Sequence, residues 1–268
     1  MTNSAVPFAQ RAKIAIFRLI TSLLRALGLR DRVLRQRITR ARAKRRAAGR
    51  LDPLSRPALH AMDAKLDAII DKDNGFFIEA GANDGYNQSN TYWLERFRGW
   101  TGLLVEPMEE LFQLCVEERP AATVVRAALV PADFEGSTVR MRFADLMSTV
   151  NGPHADEERT ALGTVVGWRD AYEADVPAET LSSILDRIDA PEVDLLSLDV
   201  EGYEPSVLAG LDLDRHAPRW ILVEVHDEVA GRPPIEAVIG SRYELHDRLS
   251  PLDLLYRRSD VLAPSTAS

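Results

Sequence analysis

The chain has 268 residues and a formal net charge of −8. This length suits one α/β domain of roughly 200 residues plus an extension. The single cysteine, Cys115, excludes an intrachain disulfide framework and indicates a reducing compartment, which predicts a cytoplasmic protein.

Charge is divided unevenly along the chain. Residues 1–50 contain 14 lysines and arginines against one acid, Asp31, for a net charge of +13. The remaining residues contain 19 bases and 40 acids, for a net charge of −21. This asymmetry predicts a basic helical extension, residues 1–50, on an acidic enzyme domain, residues 51–268.

Two sets of residues predict an amphipathic helix over residues 14–29. The basic set recurs every seven residues and comprises Arg11, Arg18, Arg25 and Arg32. The apolar set has three- and four-residue spacing and comprises Ile16, Ile20, Leu23, Leu24 and Leu27. The segment is too short and too charged to span a bilayer. It is typical of a helix lying on an anionic membrane, here the inner face of the cell membrane. The alternative is a helix that packs on its own enzyme domain or on a second copy in a homodimer.

Residues 35–50 are strongly basic and predict a solvated helix or a flexible tether. They lack the interleaved aromatic side chains of a nucleic-acid-binding face. Nucleic-acid binding is therefore not expected.

Helical and strand patterns alternate from residue 58 onward. The predicted helices are residues 59–71, 88–97, 109–118, 180–188 and 205–211. The predicted strands are residues 76–80, 103–106, 123–130, 194–199 and 220–226, with a hairpin arm at 138–143. Residues 145–176 read as irregular, and a loop of that length is usually a lid or a binding loop.

The repeated strand–helix units predict an α/β fold with a mostly parallel, doubly wound sheet covered by helices on both faces. Two closing strands, residues 243–246 and 252–256, are joined by the short link Ser250-Pro251. This pair predicts an antiparallel edge.

Two apolar runs end in an acid and predict a nucleoside site. The first ends at Glu79 and is followed by Gly81 and Gly85. The second ends at Glu106, about 25 residues past Gly81. In such sheets the glycines allow close approach of a ligand, and an acid on the next strand can bind both ribose hydroxyls.

The residues around the first run indicate which nucleoside-containing cofactor the site binds. A dinucleotide site would read Gly-x-Gly-x-x-Gly to place a pyrophosphate at a helix N-terminus, and the middle glycine is missing here. Glu79 would repel a pyrophosphate but suits the positively charged amino acid end of S-adenosylmethionine. An NAD-dependent oxidoreductase is therefore the weaker alternative.

Acids also crowd the ends of the fourth and fifth predicted strands. Asp199, Glu201 and Glu204 follow the fourth strand, and Glu224 and His226 end the fifth. Such crowding raises a carboxyl pKa, as a general base near neutral pH requires. Carboxylates with an imidazole can also hold a divalent ion. For Glu204, a charge at a helix N-terminus is the favoured interpretation.

Four segments, residues 77–85, 88–91, 99–107 and 196–204, resemble the FkbM family of S-adenosylmethionine-dependent methyltransferases. The resemblance covers about residues 74–258, and the Asp-Val-Glu-Gly-x-Glu element at 199–204 is its most specific part. It implies a class I methyltransferase (Rossmann-like) fold and methylation of a hydroxyl on a sugar, glycolipid or polyketide-like acceptor.

The resemblance also implies residue roles. The cofactor-binding set comprises Glu79, Gly81, Ala82, Asn83, Asp84, Gly85, Ser89, Glu106, Pro107, Ala127, Ser148 and Asp199. The resemblance places Asp199 beside the methyl sulfonium and makes Glu201 the base. Asp199, Glu201 and His226 are thus the predicted catalytic residues, with His226, at the end of the fifth strand, as the alternative base. Related enzymes hold Mg²⁺ between acids at the fourth and fifth strand ends, so Asp199, Glu224 and His226 are the candidate metal ligands. The non-catalytic alternative is a membrane-tethered nucleoside-binding module.

Overall fold

The computed structural model describes residues 30–143, 149–150 and 172–261. The chain divides into two compact units, Met1–Leu54 and Ser55–Ser268. The amphipathic helix predicted over residues 14–29 lies outside the described residues. Its existence and its role stay predictions.

The first unit contributes one long helix, α1 (Arg30–Ala47), in which nine residues are basic and one is acidic. Lys44, Arg45 and Arg46 lie in its last turn, where positive charge is favourable to the helix dipole. Residues 35–50 were predicted to form either a solvated helix or a flexible tether. The helix is confirmed as far as Ala47. Among the described residues, no helix combines the length and the apolar character that crossing a membrane requires.

Eleven strands occur in the described residues. They are β1 (Phe76–Ala80), β2 (Thr101–Val105), β3 (Thr123–Val125), β4 (Ala128–Leu129), β5 (Thr138–Phe143), β6 (Thr149–Val150), β7 (Tyr172–Glu179), β8 (Leu195–Leu198), β9 (Trp220–Glu224), β10 (Tyr243–Arg248) and β11 (Asp253–Arg258).

Seven of these strands form one sheet in the order β3-β2-β1-β8-β9-β11-β10. Neighbouring pairs from β3 to β9 are parallel, whereas β11 is antiparallel to both β9 and β10. The predicted parallel sheet with an antiparallel edge is confirmed. Strand order reverses between β1 and β8, and ligands of such sheets bind beyond the carboxyl ends of the strands at that point.

The helices of the second unit connect these strands. They are α2 (Met62–Ile70), α3 (Tyr92–Arg98), α4 (Glu109–Glu118), α5 (Leu181–Arg187), α6 (Glu204–Ala209), α7 (Leu213–His216) and α8 (Glu228–Ile239), with short 3-10 turns at Pro53–Ser55, Leu59–Ala61 and Gly240–Arg242. The helix α8, which contains Pro233 and Pro234, was not predicted. Both prolines lie in the middle of the helix, where their missing N–H groups oppose helix formation.

Alternate residues of the central strands fill cores on the two faces of the sheet. Phe76, Ile78 and Ala80 belong to one buried cluster with residues of α5 and α6. Phe77 points to the other face and packs with residues of α2 and α3. The period of two along a strand produces this division, and it confirms that helices cover both faces.

The helix predicted over residues 88–97 begins later, at Tyr92. Gln88 has a φ of +62°, and Ser89, Asn90 and Thr91 all donate hydrogen bonds to the Glu79 carboxylate. These tertiary bonds hold the segment out of the helical conformation that its sequence favours.

The strand predicted over residues 123–130 is two strands in two sheets. β3 pairs with β2 in the main sheet, and β4 pairs with β7 in a second sheet of order β4-β7-β5-β6. The irregular interpretation of residues 172–176 is wrong, because these residues begin β7, which pairs along all of β5. Ala174, Val176 and Ala178 of β7 face an apolar cluster that includes Val139 and Met141, so an alternating pattern was present in the sequence.

Candidate active site

A cavity of about 480 Å³ opens at the carboxyl ends of the central parallel strands. This volume lies within the range of about 300–1,000 Å³ that is usual for ligand pockets. Most of the residues predicted to bind a cofactor or to act in catalysis line it. They are Glu79, Gly81, Ala82, Asn83, Ser89, Glu106, Pro107, Ala127, Asp199, Glu201, Glu224 and His226.

Of the remaining predicted residues, Asp84 and Gly85 do not line the cavity. Ser148 lies outside the described residues. The Asp84 carboxylate caps the turn that follows it, accepting from the main-chain N–H groups of Tyr86 at 3.0 Å and Asn87 at 2.7 Å. Gly85 has a φ of +79°, and its Cα faces Arg119 and Cys115. Asp84 and Gly85 therefore shape the loop beside the cavity, and their contact with a cofactor stays a prediction.

Gly81 lies where the loops after β1 and β8 touch. Its φ is +83°, and a Cβ atom at this position would lie 1.8 Å from the main-chain oxygen of Asp199. The main-chain N–H of Asp199 in turn donates to Ala80 O at 3.1 Å. The sequence predicted that glycine here allows a ligand to approach closely. In the structure, glycine is needed because two protein loops touch at this residue.

Glu106 is buried at the end of β2 and joins two loops at the cavity. Its carboxylate accepts from the N–H of Asn83 and from the N–H of Met108, both at 2.9 Å. Burial raises the pKa of Glu106 to about 8, although the hydrogen bonds from Met108 and Asn83 act in the opposite direction and the nearby Asp84 charge adds to the rise. A buried acid at this position suits donors such as ribose hydroxyls, which favour its ionised form.

This pKa predicts a pH dependence of stability. An ordinary carboxyl of this type has a pKa of 4.5, whereas folded Glu106 titrates at about 8. The folded protein thus holds a proton that the unfolded chain has lost, and the free energy of unfolding should fall as pH rises between these values. We expect Glu106→Gln to reduce that slope in denaturant unfolding at about pH 5, 6.5 and 8. Glu109→Gln, at an exposed site on α4, is the control, and equal slopes in both variants and the parent would contradict the assignment.

Glu79 has its carboxylate directed into the protein. One oxygen accepts from Ser89 Oγ at 2.9 Å and Thr91 Oγ1 at 2.6 Å, and lies 3.3 Å from Arg119 Nη1. The other oxygen accepts from the N–H of Asn90 at 2.8 Å. Glu79 therefore borders the cavity but serves as the anchor of the loop that follows β1.

The acids that follow β8 and β9 meet at one end of the cavity. Burial raises the pKa of Glu224 well above its ordinary value, and the charge of Asp199, a hydrogen bond with Asp199 and the charge of Glu201 raise it further. A hydrogen bond between two carboxyl groups needs a proton on one of them, and the raised pKa of Glu224 favours its protonated form.

Glu201 and His226 complete this group. Ligating atoms of Glu201, Glu224 and His226 all lie within 4.8 Å of one another, and His226 Nε2 is 3.4 Å from the Glu224 carboxylate. Glu201 has a φ of +58°, a conformation that non-glycine residues adopt at a cost and that is frequent at functional sites. Two bases, a carboxylate and an imidazole, thus face the same space.

Glu204 has the supporting role that its position suggested. It is the first residue of α6 and is buried. Its carboxylate accepts from the N–H groups of Val200 at 3.1 Å and Gly202 at 3.0 Å. These bonds shape the loop that carries Glu201.

The close group of possible metal ligands differs from the predicted Mg²⁺ set, which stays a prediction. The close group contains Glu201, Glu224 and His226, with Glu201 where the sequence indicated Asp199. Mg²⁺ prefers oxygen ligands in octahedral geometry, whereas imidazole suits transition metals.

Some residues at the cavity were not singled out from the sequence. Asn87, Gln88 and Asn90 line it. Gln88 and Asn90 belong to segment 88–91 of the family resemblance, which was the available signal, whereas Asn87 lies between two such segments. Arg119 follows α4 and pairs with Glu79 behind the cavity wall, and no sequence pattern marked it. Apolar side chains of Leu111, Leu129 and Met141 cover part of the wall, and they come from elements distant in sequence.

Several solved structures are similar to this chain at low identity. A TehB-like S-adenosylmethionine-dependent methyltransferase from Corynebacterium glutamicum is 14% identical, with 74% of this chain and 87% of that chain covered and a TM-score of 0.40. An S-adenosylmethionine-dependent methyltransferase from Aquifex aeolicus is 8% identical, with 81% and 97% covered and a TM-score of 0.39. The Podospora anserina methyltransferase PaMTH1 bound to S-adenosylhomocysteine is 12% identical, with 97% and 100% covered and a TM-score of 0.40.

The sequence itself gives a more direct assignment. No curated protein matches the chain, but the family described as Methyltransferase FkbM domain matches residues 79–247. That range is more than half of the chain and includes every predicted cofactor and catalytic residue. The sheet order found above agrees with the predicted class I methyltransferase fold. The chain therefore belongs to the FkbM family of S-adenosylmethionine-dependent methyltransferases.

Proposed function

We propose that the protein transfers a methyl group to a hydroxyl of a sugar, glycolipid or polyketide-like acceptor. The observation that carries this proposal is the group of ionisable side chains at one end of the cavity, where Glu201 and His226 lie beside the Asp199–Glu224 pair. An alcohol is a weak nucleophile unless a base removes its proton. An amine acceptor, once neutral, needs no such base before it attacks.

The other end of the cavity suits a nucleoside cofactor. Glu106 offers a buried carboxylate for ribose hydroxyls, and Ala127, Leu111 and Leu129 provide apolar surface for a base. Gly81, Ala82 and Asn83 present main chain, and Asp199 lies between this end and the base group. When bound, S-adenosylmethionine would supply an electrophilic methyl group. Family membership favours this cofactor over the NAD alternative.

Within this arrangement Glu201 is the proposed base. Burial and the neighbouring charges of Asp199 and Glu201 raise the pKa of Glu224, which makes Glu224 less suited to act as a charged base. The loop that carries Glu201 is held by Glu204. His226 is the alternative base, because its Nε2 lies beside Glu224. When cofactor and acceptor fill the cavity, the apolar side chains of its wall would exclude water, which strengthens the electrostatic interactions inside it.

A screen with labelled methyl donor tests the acceptor class. Free sugars, glycolipids and polyketide alcohols form one set, and amine analogues with the same skeleton form the matched control set. We expect labelled methyl ethers whose linkage is verified by mass spectrometry and NMR. Labelling of amines alone would overturn the proposal of hydroxyl methylation, and absence of any transfer with bound cofactor would favour the non-catalytic binding module.

Glu106 gives a prediction for cofactor affinity. Glu106→Ala removes a charge-assisted hydrogen bond to the ribose and should weaken S-adenosylhomocysteine binding by about 1.5–3 kcal/mol. Isothermal titration calorimetry measures this, with Glu109→Ala as the control that removes an exposed charge from the adjacent helix. Unchanged affinity in Glu106→Ala would contradict the assignment of Glu106 to the ribose.

We further propose that residues 1–50 attach the enzyme to an anionic membrane, near a lipid-linked acceptor. The net charge of +13 on this segment supports the proposal, and α1 carries nine of its basic residues on one continuous helix. Near an anionic leaflet each basic residue contributes about 1 kcal/mol, and salt weakens the attraction.

Deletion of residues 1–50 should abolish flotation with anionic liposomes at low salt, while methylation of a soluble acceptor analogue is retained. Neutral liposomes are the control, because charge attraction predicts little binding of the full chain to them. The homodimer alternative predicts that deletion halves the mass in solution. Full-length protein that ignores anionic liposomes and becomes monomeric on truncation would overturn the membrane proposal.

A further inference from the structure

Arg119 is a fully buried cation that does not line the cavity. It follows α4, and its side chain is 1% exposed. Its Nε atom lies 2.5 Å from Glu95 Oε2, and its Nη1 atom lies 3.3 Å from Glu79 Oε2. Two buried carboxylates thus share one guanidinium, whose planar fork suits such multiple pairing.

The same guanidinium holds the loop after β1 at three further points. Nη1 donates to Gly85 O at 3.2 Å and to Ser89 Oγ at 3.1 Å, and Nη2 donates to Thr91 Oγ1 at 2.9 Å. Its central carbon lies 5.1 Å from the centre of the Phe77 ring in β1. Arg119 therefore connects a strand of the central sheet to both ends of the loop.

This loop forms one wall of the cavity. Asn87, Gln88, Ser89 and Asn90 all line it, and Asn90 also donates from Nδ2 to Ser197 Oγ in β8 at 3.1 Å. Gln88 has a φ of +62°. A loop with this backbone conformation keeps its shape only if the surrounding contacts determine it.

The charge balance also limits the role of Glu79. Its carboxylate is paired with Arg119 and saturated by loop donors. A carboxylate in that state offers little free charge to a cationic ligand. Its effect on the cofactor must pass through the loop that it anchors.

We propose that Arg119 is a positioning residue for the cofactor site, acting through Glu79 and the loop of residues 85–91. This rests on the proposed assignment of the cavity to S-adenosylmethionine. Arg119 does not touch the ligand. It fixes the wall against which the ligand binds.

The test is a calorimetric titration of Arg119→Lys with S-adenosylhomocysteine. Lysine keeps the charge but cannot reach Glu79, Glu95 and the loop together. We expect Kd to rise about 10-fold or more at a stoichiometry near one. Arg98→Lys is the control, because Arg98 also pairs with several carboxylates but does not line the cavity or hold this loop; its Kd should match the parent.

Two outcomes separate this role from simple stabilisation. A lowered stoichiometry with unchanged Kd would mean that Arg119 only keeps the protein folded, and it would overturn the proposal. If Arg119→Lys does not fold, Glu95→Gln loosens Arg119 without altering Glu79 or the loop. It should raise Kd about 3- to 10-fold, and an unchanged Kd would likewise overturn the proposal. Failure of the unaltered protein to bind S-adenosylhomocysteine would instead overturn the cofactor assignment and this inference with it.

Discussion

Replacement of Glu201 by glutamine is expected to lower methyl transfer about 10²–10⁴-fold while S-adenosylhomocysteine affinity stays unchanged. Glutamine keeps the size of the side chain and removes the basic oxygen. The loop itself should persist, because Glu204 holds Val200 and Gly202 through their main-chain N–H groups. Turnover with the acceptor found in the screen and calorimetry with the cofactor product measure the two quantities separately.

If His226 is the base instead, the two variants should show the opposite pattern of activity. If His226→Ala gives the large loss and Glu201→Gln retains turnover, the two roles are exchanged. Glu244→Gln is a suitable control, since Glu244 is an exposed carboxylate of β10 paired with Arg257. A similar loss in all three variants would show that the effect does not come from a base in the cavity.

Replacement of Gly81 is expected to abolish cofactor binding. In Gly81→Val the Cβ atom would meet the Asp199 main-chain oxygen at 1.8 Å, on a backbone with a φ of +83°. The loops after β1 and β8 must then separate, which displaces both Asp199 and the main chain of residues 81–83. A positive φ costs about 1–2 kcal/mol for a residue with a side chain, and the clash adds to that cost. Calorimetry should detect no binding, and denaturant unfolding should show lowered stability.

Gly240→Ala isolates the contribution of backbone strain. Gly240 also has a positive φ, 58°, but among the described residues no atom beyond its chain neighbours lies within 4 Å of the position of its Cβ. We expect this variant to lose some stability and to keep its cofactor affinity. If Gly81→Ala binds S-adenosylhomocysteine as tightly as the parent does, the contact between the two loops is not required for the site.

The sequence by itself determined the sheet and the ends of its central strands. The buried runs that end at Glu79, Glu106 and Glu224 are local patterns, and they remained correct in the structure. Their functional residues lie at strand ends because a parallel sheet brings those ends to one edge. For this reason the candidate site could be predicted without coordinates.

Local patterns failed where a distant residue changed the backbone. The segment before α3 has helical character, but its hydrogen bonds to Glu79 keep it irregular. Residues 123–130 read as one strand, but their two halves join different sheets. In both segments the backbone conformation depends on hydrogen-bond partners that are distant in the chain. A short window of sequence does not contain those partners.

The tertiary structure alone decided the electrostatics of the site. Arg119 lies 40 residues from Glu79 in the chain, and no motif marked it as the cation that neutralises this acid. The proton shared by Asp199 and Glu224 depends on β8 and β9 being neighbours and on burial at their ends. Charge and burial act through distances in space. The sequence identified the acids, while the fold decided that Glu79 is paired with Arg119 and that the pKa of Glu224 is raised.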